Sequence, residues 1–433
     1  MRAVSICAVL ALLFAPISSS AELQSIAAAA RVILGPDQGV YIEAADGAVL
    51  LAQAAATPVH PASVSKVPTT LALLRKLGPD HRFVTTFRAK GRVIDGTLYG
   101  DLIVTSDGDP SLVDENALLV AERLRQSGIN RVSGGLRVTA PLTFDWKTDS
   151  DGASLRRALS GQAPAAALAA VRALDLLNSM ASTVGSLAGT TAGLSNGGSL
   201  VPLGIRFGTA TATAAALSAT DAGGRQAVEL TGERPLIVHR SQPLLPLAKS
   251  LNDYSNNIFA PFAAAAGGAA AVQSLARSVV PEEMRSEITL GDGAGADPTN
   301  RLSPRVAVKL LRALEQELAQ SGHSLCDILP VAGIDDGTLH DRLNGPAEAG
   351  HVLGKTGTFG DYGASALIGA IRTTNHGTVY FAVLNHNVPV PQARQRQDRF
   401  VRFLLTQFHT TPWDYQRDPR PAITRAEVAI MVP

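Results

Sequence analysis

The sequence predicts an α+β protein whose sheet comes from both ends of the chain and is interrupted by a long inserted segment. Residues 30–55 alternate apolar and polar side chains around Gly and Asp-Gly, which indicates a hairpin of two strands. Residues 350–387 contain further runs typical of strands, and an amphipathic helix pattern follows them. A sheet of these strands brings both chain ends together, so we expect one core with an insertion between its two parts.

The first 21 residues have the pattern of a secretory signal peptide. Arg2 supplies a short positive region, residues 3–15 are almost wholly apolar, and Ser-Ser-Ala at 19–21 offers a cleavage site. The apolar run is short for a membrane span. We therefore expect the mature chain to begin near Glu22.

Charge balance, cysteine content and histidine spacing give no support to nucleic-acid binding or to a metal site. The chain carries 38 basic and 37 acidic side chains, and loss of Arg2 with the signal leaves 37 of each. This balance gives no global reason to expect nucleic-acid binding. Cys326 would be the one cysteine left, and its apolar surroundings predict a buried thiol. The nine histidines show no paired ligand spacing, so neither a metal site nor another cofactor is predicted.

The sequence pattern divides the chain after the signal peptide into three parts, with changes near residues 83 and 239. Residues 22–82 hold the hairpin and a first helix, and residues 83–238 form the mainly β insertion. Within the insertion, residues 150–178 are predicted as helical. Residues 182–225 are rich in small residues, which favours loose β structure or a partly mobile surface.

Residues 239–433 complete the core. Helical patterns extend to about residue 320, and the strands and the closing amphipathic helix follow. The apolar stretch 258–272 is too short and too rich in Ala and Gly for a membrane span, and it contains Pro261. We expect a buried helix there.

The first candidate catalytic pair lies in HPASVSKVPTTLALL, residues 60–74, where Ser63 precedes Lys66 by three positions. Residues at this spacing share one face of a helix, so the lysine amine can reach the serine hydroxyl. A serine needs such a base to become a nucleophile at neutral pH. The spacing also arises by chance, and this motif alone favours Ser63 as an ordinary helix N-cap, with Pro61 just before the helix.

Two further motifs favour the catalytic interpretation. NDYSNNIFA contains Ser255 and Asn257, a Ser-x-Asn, and LGKTGTFGD contains Lys-Thr-Gly-Thr at 355–358, at the start of a predicted strand. Ser-x-x-Lys, Ser-x-Asn and Lys-Thr-Gly in this order are the three elements of the penicillin-recognising acyl-serine enzymes. Each motif is weak alone, but the three together form a strong signal.

The residue types predict a division of catalytic roles. Ser63 attacks while Lys66 accepts its proton, if burial and a second cation such as Lys355 lower the Lys66 pKa. Ser255 can relay a proton towards the leaving amine. Asn257 can hold Lys66 and a substrate amide by hydrogen bonds.

The third motif predicts substrate binding. Lys355 and Thr356 can bind a terminal carboxylate, and Gly357 lets the strand approach the substrate closely. The backbone N–H groups of Ser63 and Thr358 can form an oxyanion hole, worth roughly 3 kcal/mol per donor.

Longer stretches resemble the D-Ala-D-Ala carboxypeptidase/endopeptidase family, the low-molecular-mass class C penicillin-binding proteins. They are PASVSKVPTTLALL, GTLYGDLIVTSDGDPSL, SQPLLPLAKSLNDYSNNIFA, DGAGADPTNRLSP, LPVAGIDDGTLHDRL, KTGTFGDYGASALIGAI and ARQRQDRFV. The resemblance implies a β-lactamase/transpeptidase-like domain made of residues 22–82 and 239–433 and split by the inserted domain or domains of residues 83–238.

The same resemblance implies a function. It implies a periplasmic hydrolase, a serine-type D-Ala-D-Ala carboxypeptidase or endopeptidase that acts on peptidoglycan stem peptides. The acyl-enzyme would form on Ser63, and β-lactams would acylate the same serine.

Some positions depart from the family pattern. Asn256 stands where Asp is usual, Ala294 replaces the serine of the commoner Asp-Gly-Ser-Gly, and the insertion after residue 143 lacks the expected aromatic and acidic pattern. Substrate selection by the insertion therefore stays open. YSN at 254–256 also fits the Tyr-x-Asn of class C β-lactamases and related esterases, but the following apolar-aromatic-Ala run favours the pair of Ser255 and Asn257.

Two alternative functions remain at this point. One is a β-lactamase or esterase on the same fold. The other is a non-catalytic cell-wall-binding protein, which the divergent insertion motivates and the intact motifs oppose, because a binder has no need of Lys66. No C-terminal anchor is evident, which leaves a loose association with a membrane surface open, and the oligomeric state is not predicted.

Overall fold

A computed structural model of the chain describes residues 20–174, 204–208, 228–360, 363–419 and 425–431. The predicted signal peptide lies outside the described residues except for its last two positions, and most of residues 182–225 also lie outside them. Helix α1 begins at Ser20 and therefore crosses the predicted cleavage point.

The first sheet joins strands from both ends of the chain. Its strands are β1 (Gly39–Ala44), β2 (Val49–Gln53), β11 (Val352–Phe359), β12 (Ala364–Thr373), β13 (Thr378–Asn385) and β14 (Thr410–Thr411). They pair antiparallel in the order β11-β12-β13-β1-β2, with β14 beside β12. Val40 of β1 lies opposite Val383 of β13, so the N-terminal hairpin adds directly to the C-terminal strands. The predicted α+β class is confirmed.

Helices cover both faces of this sheet. They are α1 (Ser20–Ile33), α2 (Lys66–Leu77), α6 (Leu244–Asp253), α7 (Phe259–Phe262), α8 (Gly268–Ser278), α9 (Pro304–Ala319) and α10 (Val390–Gln407). Ile368 and Ala382 belong to a core with α2, α6, α8 and α9, whereas the adjacent Leu367 and Phe381 belong to a core with α1 and α10. Because successive strand side chains point to opposite faces, the strands are apolar on both sides.

The N-terminal hairpin is shorter than predicted. Residues 30–33 end helix α1, and the first strand starts only at Gly39. The segment is rich in Ala, a strong helix former, and it buries Ile26, Ala30 and Leu34 at four-residue intervals. The i, i+4 pattern overrides the alternation that the sequence suggested.

The predicted helix at 258–272 is broken. Helix α7 continues through a 3-10 turn to Ala266, and α8 starts at Gly268 after a bend of 69°. Gly267, at φ +103°, makes the bend. Phe259 and Val272 are fully buried in the core. Among the described helices, none alone has the length and apolar composition to cross a membrane, and this bent pair passes that test only by length and composition.

The inserted segment forms a second sheet with its own core. Its strands are β3 (Val84–Ile94), β4 (Thr97–Ser106), β5 (Arg131–Val132), β6 (Leu136–Val138), β9 (Arg206–Phe207) and β10 (Val228–Arg240). Helices α3 (Asp114–Gln126), α4 (Ala153–Leu159) and α5 (Ala165–Leu174) belong to the same segment. A short hairpin, β7 (Thr143–Phe144) and β8 (Lys147–Thr148), carries Trp146, which packs against the core around α2.

The C-terminal end returns to the inserted sheet, a connection that the sequence did not indicate. Strand β15 (Glu427–Ile430) pairs with β10, and Ile237 lies opposite Ile430. Strand β10 itself runs across the predicted boundary at residue 238. The boundaries of the three predicted parts stay predictions.

Candidate active site

Ser63 lies in a 3-10 turn, Ala62–Ser65, that leads directly into α2. Lys66 is the first residue of α2, and its Nζ lies 2.7 Å from Ser63 Oγ. Ser63 is therefore inside the turn and not the N-cap, which is Pro61. The three-residue spacing brings the Lys66 amine to the Ser63 hydroxyl, because the two residues are about one helical turn apart.

Lys66 is fully buried and surrounded by acceptors. Besides Ser63, its Nζ contacts the Ala294 carbonyl oxygen at 2.7 Å and Asn257 Oδ1 at 3.3 Å. Burial lowers the pKa of Lys66 to about 7, against the opposing charge of Asp292. A neutral Lys66 has two N–H groups for Asn257 and Ala294 and a lone pair for the Ser63 hydroxyl. This arrangement suits a base that takes the serine proton.

The loop at residues 291–297 supplies the Ala294 carbonyl, a contact that sequence reasoning missed. Asp292 Oδ1 accepts hydrogen bonds from Gly295 N at 2.7 Å and from Asn300 Nδ2 at 2.9 Å, which fixes the loop. Gly295 has φ +87°, and a Cβ there would lie 1.9 Å from the Ala62 carbonyl oxygen. The loop can reach the Ser63 turn because this position is glycine.

Ser255 and Lys355 form the second serine–lysine contact, with Nζ 2.9 Å from Oγ. Ser255 adopts the left-handed conformation at φ +55°, which is uncommon for a residue with a side chain. Lys355 is fully buried and also donates to the Thr356 carbonyl at 3.0 Å. Burial, and next the charge of Lys66, holds the pKa of Lys355 well below its usual value.

The structure distinguishes the two registers of the second motif. Asn257 Oδ1 faces Lys66, and Ser255 Oγ faces Lys355. In the other register, Tyr254 is 61% exposed and Asn256 Oδ1 accepts a hydrogen bond from the Ile258 backbone N–H at 2.9 Å. The pair that contacts the lysines is therefore Ser255 and Asn257.

Strand β11 lines the site with the Lys-Thr-Gly-Thr residues. Thr356 Oγ1 donates to Thr338 Oγ1 at 2.8 Å, and Thr358 is exposed at the end of the strand. A Cβ on Gly357 would lie 2.6 Å from the Pro61 carbonyl oxygen. The glycine thus allows β11 to approach the turn that carries Ser63. The close approach of this strand to substrate stays a prediction.

A charged network joins α6 to the segment that carries Thr338. Lys249 Nζ contacts Asp335 Oδ2 at 2.5 Å and Asp253 Oδ1 at 3.2 Å. Burial raises the pKa of Asp253 to about 7. The Asp253 carbonyl accepts from the Thr338 backbone N–H at 2.8 Å, which places Thr338 beside Thr356. Sequence reasoning missed Thr338 and Lys249, although both lie in the stretches quoted above for their resemblance.

The Cys326 thiol is buried, as the sequence predicted. Burial raises the pKa of the Cys326 thiol to about 12, so the thiolate is disfavoured. In the described ranges, no group of three or more His, Cys, Asp or Glu is placed to hold a metal ion. The prediction that no cofactor is needed stays a prediction.

Comparisons with known proteins identify relatives over most of the chain. The model of the D-Ala-D-Ala carboxypeptidase 3 (S13) family matches residues 19–169 and 213–407. Carboxypeptidase DacB of Mycolicibacterium smegmatis is 27% identical over 393 residues, which cover 83% of this chain and 78% of that protein.

Solved structures show the same fold at lower identity. A penicillin G-acylated predatory endopeptidase from Bdellovibrio bacteriovorus, solved with an immunity protein, matches with a TM-score of 0.65 and 21% identity, covering 91% of this chain and 99% of that one. Penicillin-binding protein 4 from Haemophilus influenzae matches with a TM-score of 0.56 and 17% identity, covering 88% and 99%. These similarities extend over the core and the insertion alike.

Proposed function

Because the chain belongs to the D-Ala-D-Ala carboxypeptidase 3 (S13) family, we propose that Ser63 is the nucleophile with which it cleaves D-Ala bonds in stem peptides. The enzyme is a serine peptidase, a DD-peptidase that acts on peptidoglycan. The substrate is a stem peptide ending in D-Ala-D-Ala, or one cross-linked through D-Ala.

Acylation starts with proton transfer from the Ser63 hydroxyl to neutral Lys66 as Oγ attacks the D-Ala carbonyl carbon. The Ser63 Oγ–carbon bond forms, and the peptide C–N bond breaks as the leaving amine receives, by way of Ser255, the proton that Lys66 accepted from Ser63. The acyl-enzyme is then hydrolysed by water, which releases the peptide and regenerates Ser63. Backbone N–H groups of Ser63 and Thr358 hold the oxyanion.

The observation that carries this proposal is the contact of Lys66 with Ser63. The amine is 2.7 Å from the hydroxyl, fully buried, and has a pKa of about 7. An ordinary surface lysine is protonated at neutral pH and cannot accept the serine proton. Because burial lowers the pKa of Lys66 to about 7, the free amine is available near neutral pH, and the site needs no histidine as base.

Substrate binding is assigned to strand β11. Lys355 and Thr356 orient the residue that leaves, and Asn257 holds the substrate amide while it contacts Lys66. Gly357 keeps the strand close to Ser63. β-Lactams acylate Ser63 by the same attack, and the acylated Bdellovibrio relative shares the fold in which this occurs.

The enzyme acts outside the cytoplasm because its substrate is in the cell wall. We place it in the periplasm, with residues 1–21 as its signal peptide. Residues 22–82 and 239–433 form the catalytic domain in this proposal, and residues 83–238 form the inserted domain or domains.

A stem pentapeptide and a cross-linked muropeptide dimer test the proposal. The wild-type enzyme should release D-Ala from the first, cleave the second, or do both, and Ser63→Ala should do neither. Ser65→Ala is the matched control, because Ser65 lies in the same turn and its Oγ has no hydrogen-bond partner among the described residues. Absence of both reactions with wild-type protein, or activity that survives in Ser63→Ala, contradicts the proposal.

A further inference from the structure

Arg394 touches the strand assigned to substrate binding. Its Nη2 donates a hydrogen bond to Thr358 Oγ1 at 2.7 Å, and both side chains are exposed. Thr358 is the last residue of Lys-Thr-Gly-Thr. The guanidinium therefore lies at the rim of the site, next to the residues proposed to orient the leaving amino acid.

The neighbouring part of α10 is held in place by buried hydrogen bonds. Gln397, one turn beyond Arg394, is fully buried and its Nε2 donates to Ser365 Oγ at 3.1 Å and to Asn385 Oδ1 at 2.8 Å. Ser365 is the cross-strand partner of Thr358. Helix α10 thus contacts both members of one strand pair, Thr358 through Arg394 and Ser365 through Gln397, and residues three apart share that face.

The charge of Arg394 differs from that of Lys355. Lys355 is buried, and its Nζ already donates to Ser255 Oγ and to the Thr356 carbonyl oxygen. Its pKa is held well below the usual value by burial and by the charge of Lys66. An arginine stays charged at any physiological pH, and its planar group binds a carboxylate through two parallel hydrogen bonds. Within the described ranges, Arg394 forms no ion pair with a carboxylate side chain.

We infer that Arg394 binds the free carboxylate of the leaving D-amino acid, together with the hydroxyls of Thr356 and Thr358. Arg394 is then a specificity-determining residue that selects peptides with a free C-terminal carboxylate. This inference rests on the function proposed above and names a feature of its substrate. Lys355 and Thr356 keep their proposed role at the leaving residue, and Arg394 adds a permanent positive charge.

The test compares two peptides, one ending in D-Ala-D-Ala with a free carboxylate and the other its C-terminal amide. Arg394→Ala should lower kcat/KM for the acid by about 10- to 100-fold, chiefly through KM, and leave the amide within about twofold. Arg394→Lys keeps the positive charge but loses the two parallel N–H donors of the guanidinium group. It should therefore keep part of the preference for the peptide acid over the amide. Arg399→Ala is the matched control, an exposed arginine on the same helix, and it should change neither peptide.

Three outcomes overturn the inference. Equal losses on the acid and the amide mean that Arg394 has only a structural role, and no loss on the acid means that the carboxylate binds elsewhere. If wild-type enzyme cleaves neither peptide and Ser63 is not acylated, the proposed function fails and the inference fails with it. Thermal midpoints of the variants confirm folding, which is expected because Arg394 is exposed.

Discussion

Lys66 Nζ lies 2.7 Å from Ser63 Oγ in a site where Lys66 is completely buried. The contact joins a nucleophile to a base in one helical turn, and Asn257 and the Ala294 carbonyl hold the remaining hydrogens of the amine. Burial, which is unfavourable for a charged lysine, is what makes this lysine a base near neutral pH.

Acylation of Ser63 should depend on pH through Lys66. The pKa of Lys66 is lowered to about 7, and the reactive form is the neutral amine. The second-order acylation rate should therefore rise with pH through about 7 and level off above about 8. Stopped-flow or quenched-flow measurements with a slow β-lactam give this profile. A rate that is flat from pH 5.5 to 8.5 contradicts the assignment of Lys66 as the base.

Asn257→Asp should move that profile to higher pH. A carboxylate oxygen in the place of Asn257 Oδ1, 3.3 Å from the Lys66 amine, would favour the charged amine and raise the pKa of Lys66 by about 1 to 3. Acylation at pH 7 should fall at least about tenfold and recover as the pH rises. Asn256→Asp is the control, since Asn256 bonds a backbone N–H and faces neither lysine. An unshifted profile for Asn257→Asp would show that Asn257 does not contact the base.

Gly295→Ala should disrupt the site more than it disrupts the fold elsewhere. The new Cβ would lie 1.9 Å from the Ala62 carbonyl oxygen, so the loop with Ala294 must move away from Lys66. We expect a loss of acylation of about 100-fold or more. Gly322→Ala is the matched control, because Gly322 also has a positive φ, +75°, but no atom of the part of the chain that the structure describes lies within 4 Å of its Cβ position. The control should lose about 1 kcal/mol of stability and retain activity.

Lys66→Met should change how stability depends on pH. The pKa of Lys66 is about 7 when folded and 10.5 in the reference state, so the unfolded chain binds more protons between these values. Burial of the charge is most unfavourable below pH 7, and wild-type stability recovers as pH rises. Relative to Lys66→Met, wild type should gain about 2 kcal/mol of unfolding free energy from pH 7 to 9. Denaturant unfolding measures this, and a constant difference between the two proteins would refute it.

Local pattern was enough to predict part of the site. Ser63 and Lys66 are three residues apart, so helical geometry alone brings them together. The sheet from both chain ends was predictable too, because strands such as β13 are strongly apolar. The contact of Ser255 with Lys355 spans 100 residues, and only the order of the motifs indicated it.

Other contacts could not be predicted because they depend on tertiary structure. The Ala294 carbonyl is a backbone atom 228 residues from Lys66, and the residue type does not reveal it. Strand β15 has four residues, too few for a periodic signal, and its pairing with β10 depends on the path of the chain. Arg394 is one of several arginines on α10, and its contact with Thr358 follows from helix docking.

Intact-protein mass after incubation with benzylpenicillin tests the central claim most directly, on wild type, Ser63→Ala and Ser65→Ala. We predict a covalent adduct on wild type and on Ser65→Ala and none on Ser63→Ala, with the modified peptide mapping to residues 60–74. An adduct that persists in Ser63→Ala, or no adduct and no penicillin hydrolysis with wild type, would contradict the assignment of Ser63 as the nucleophile.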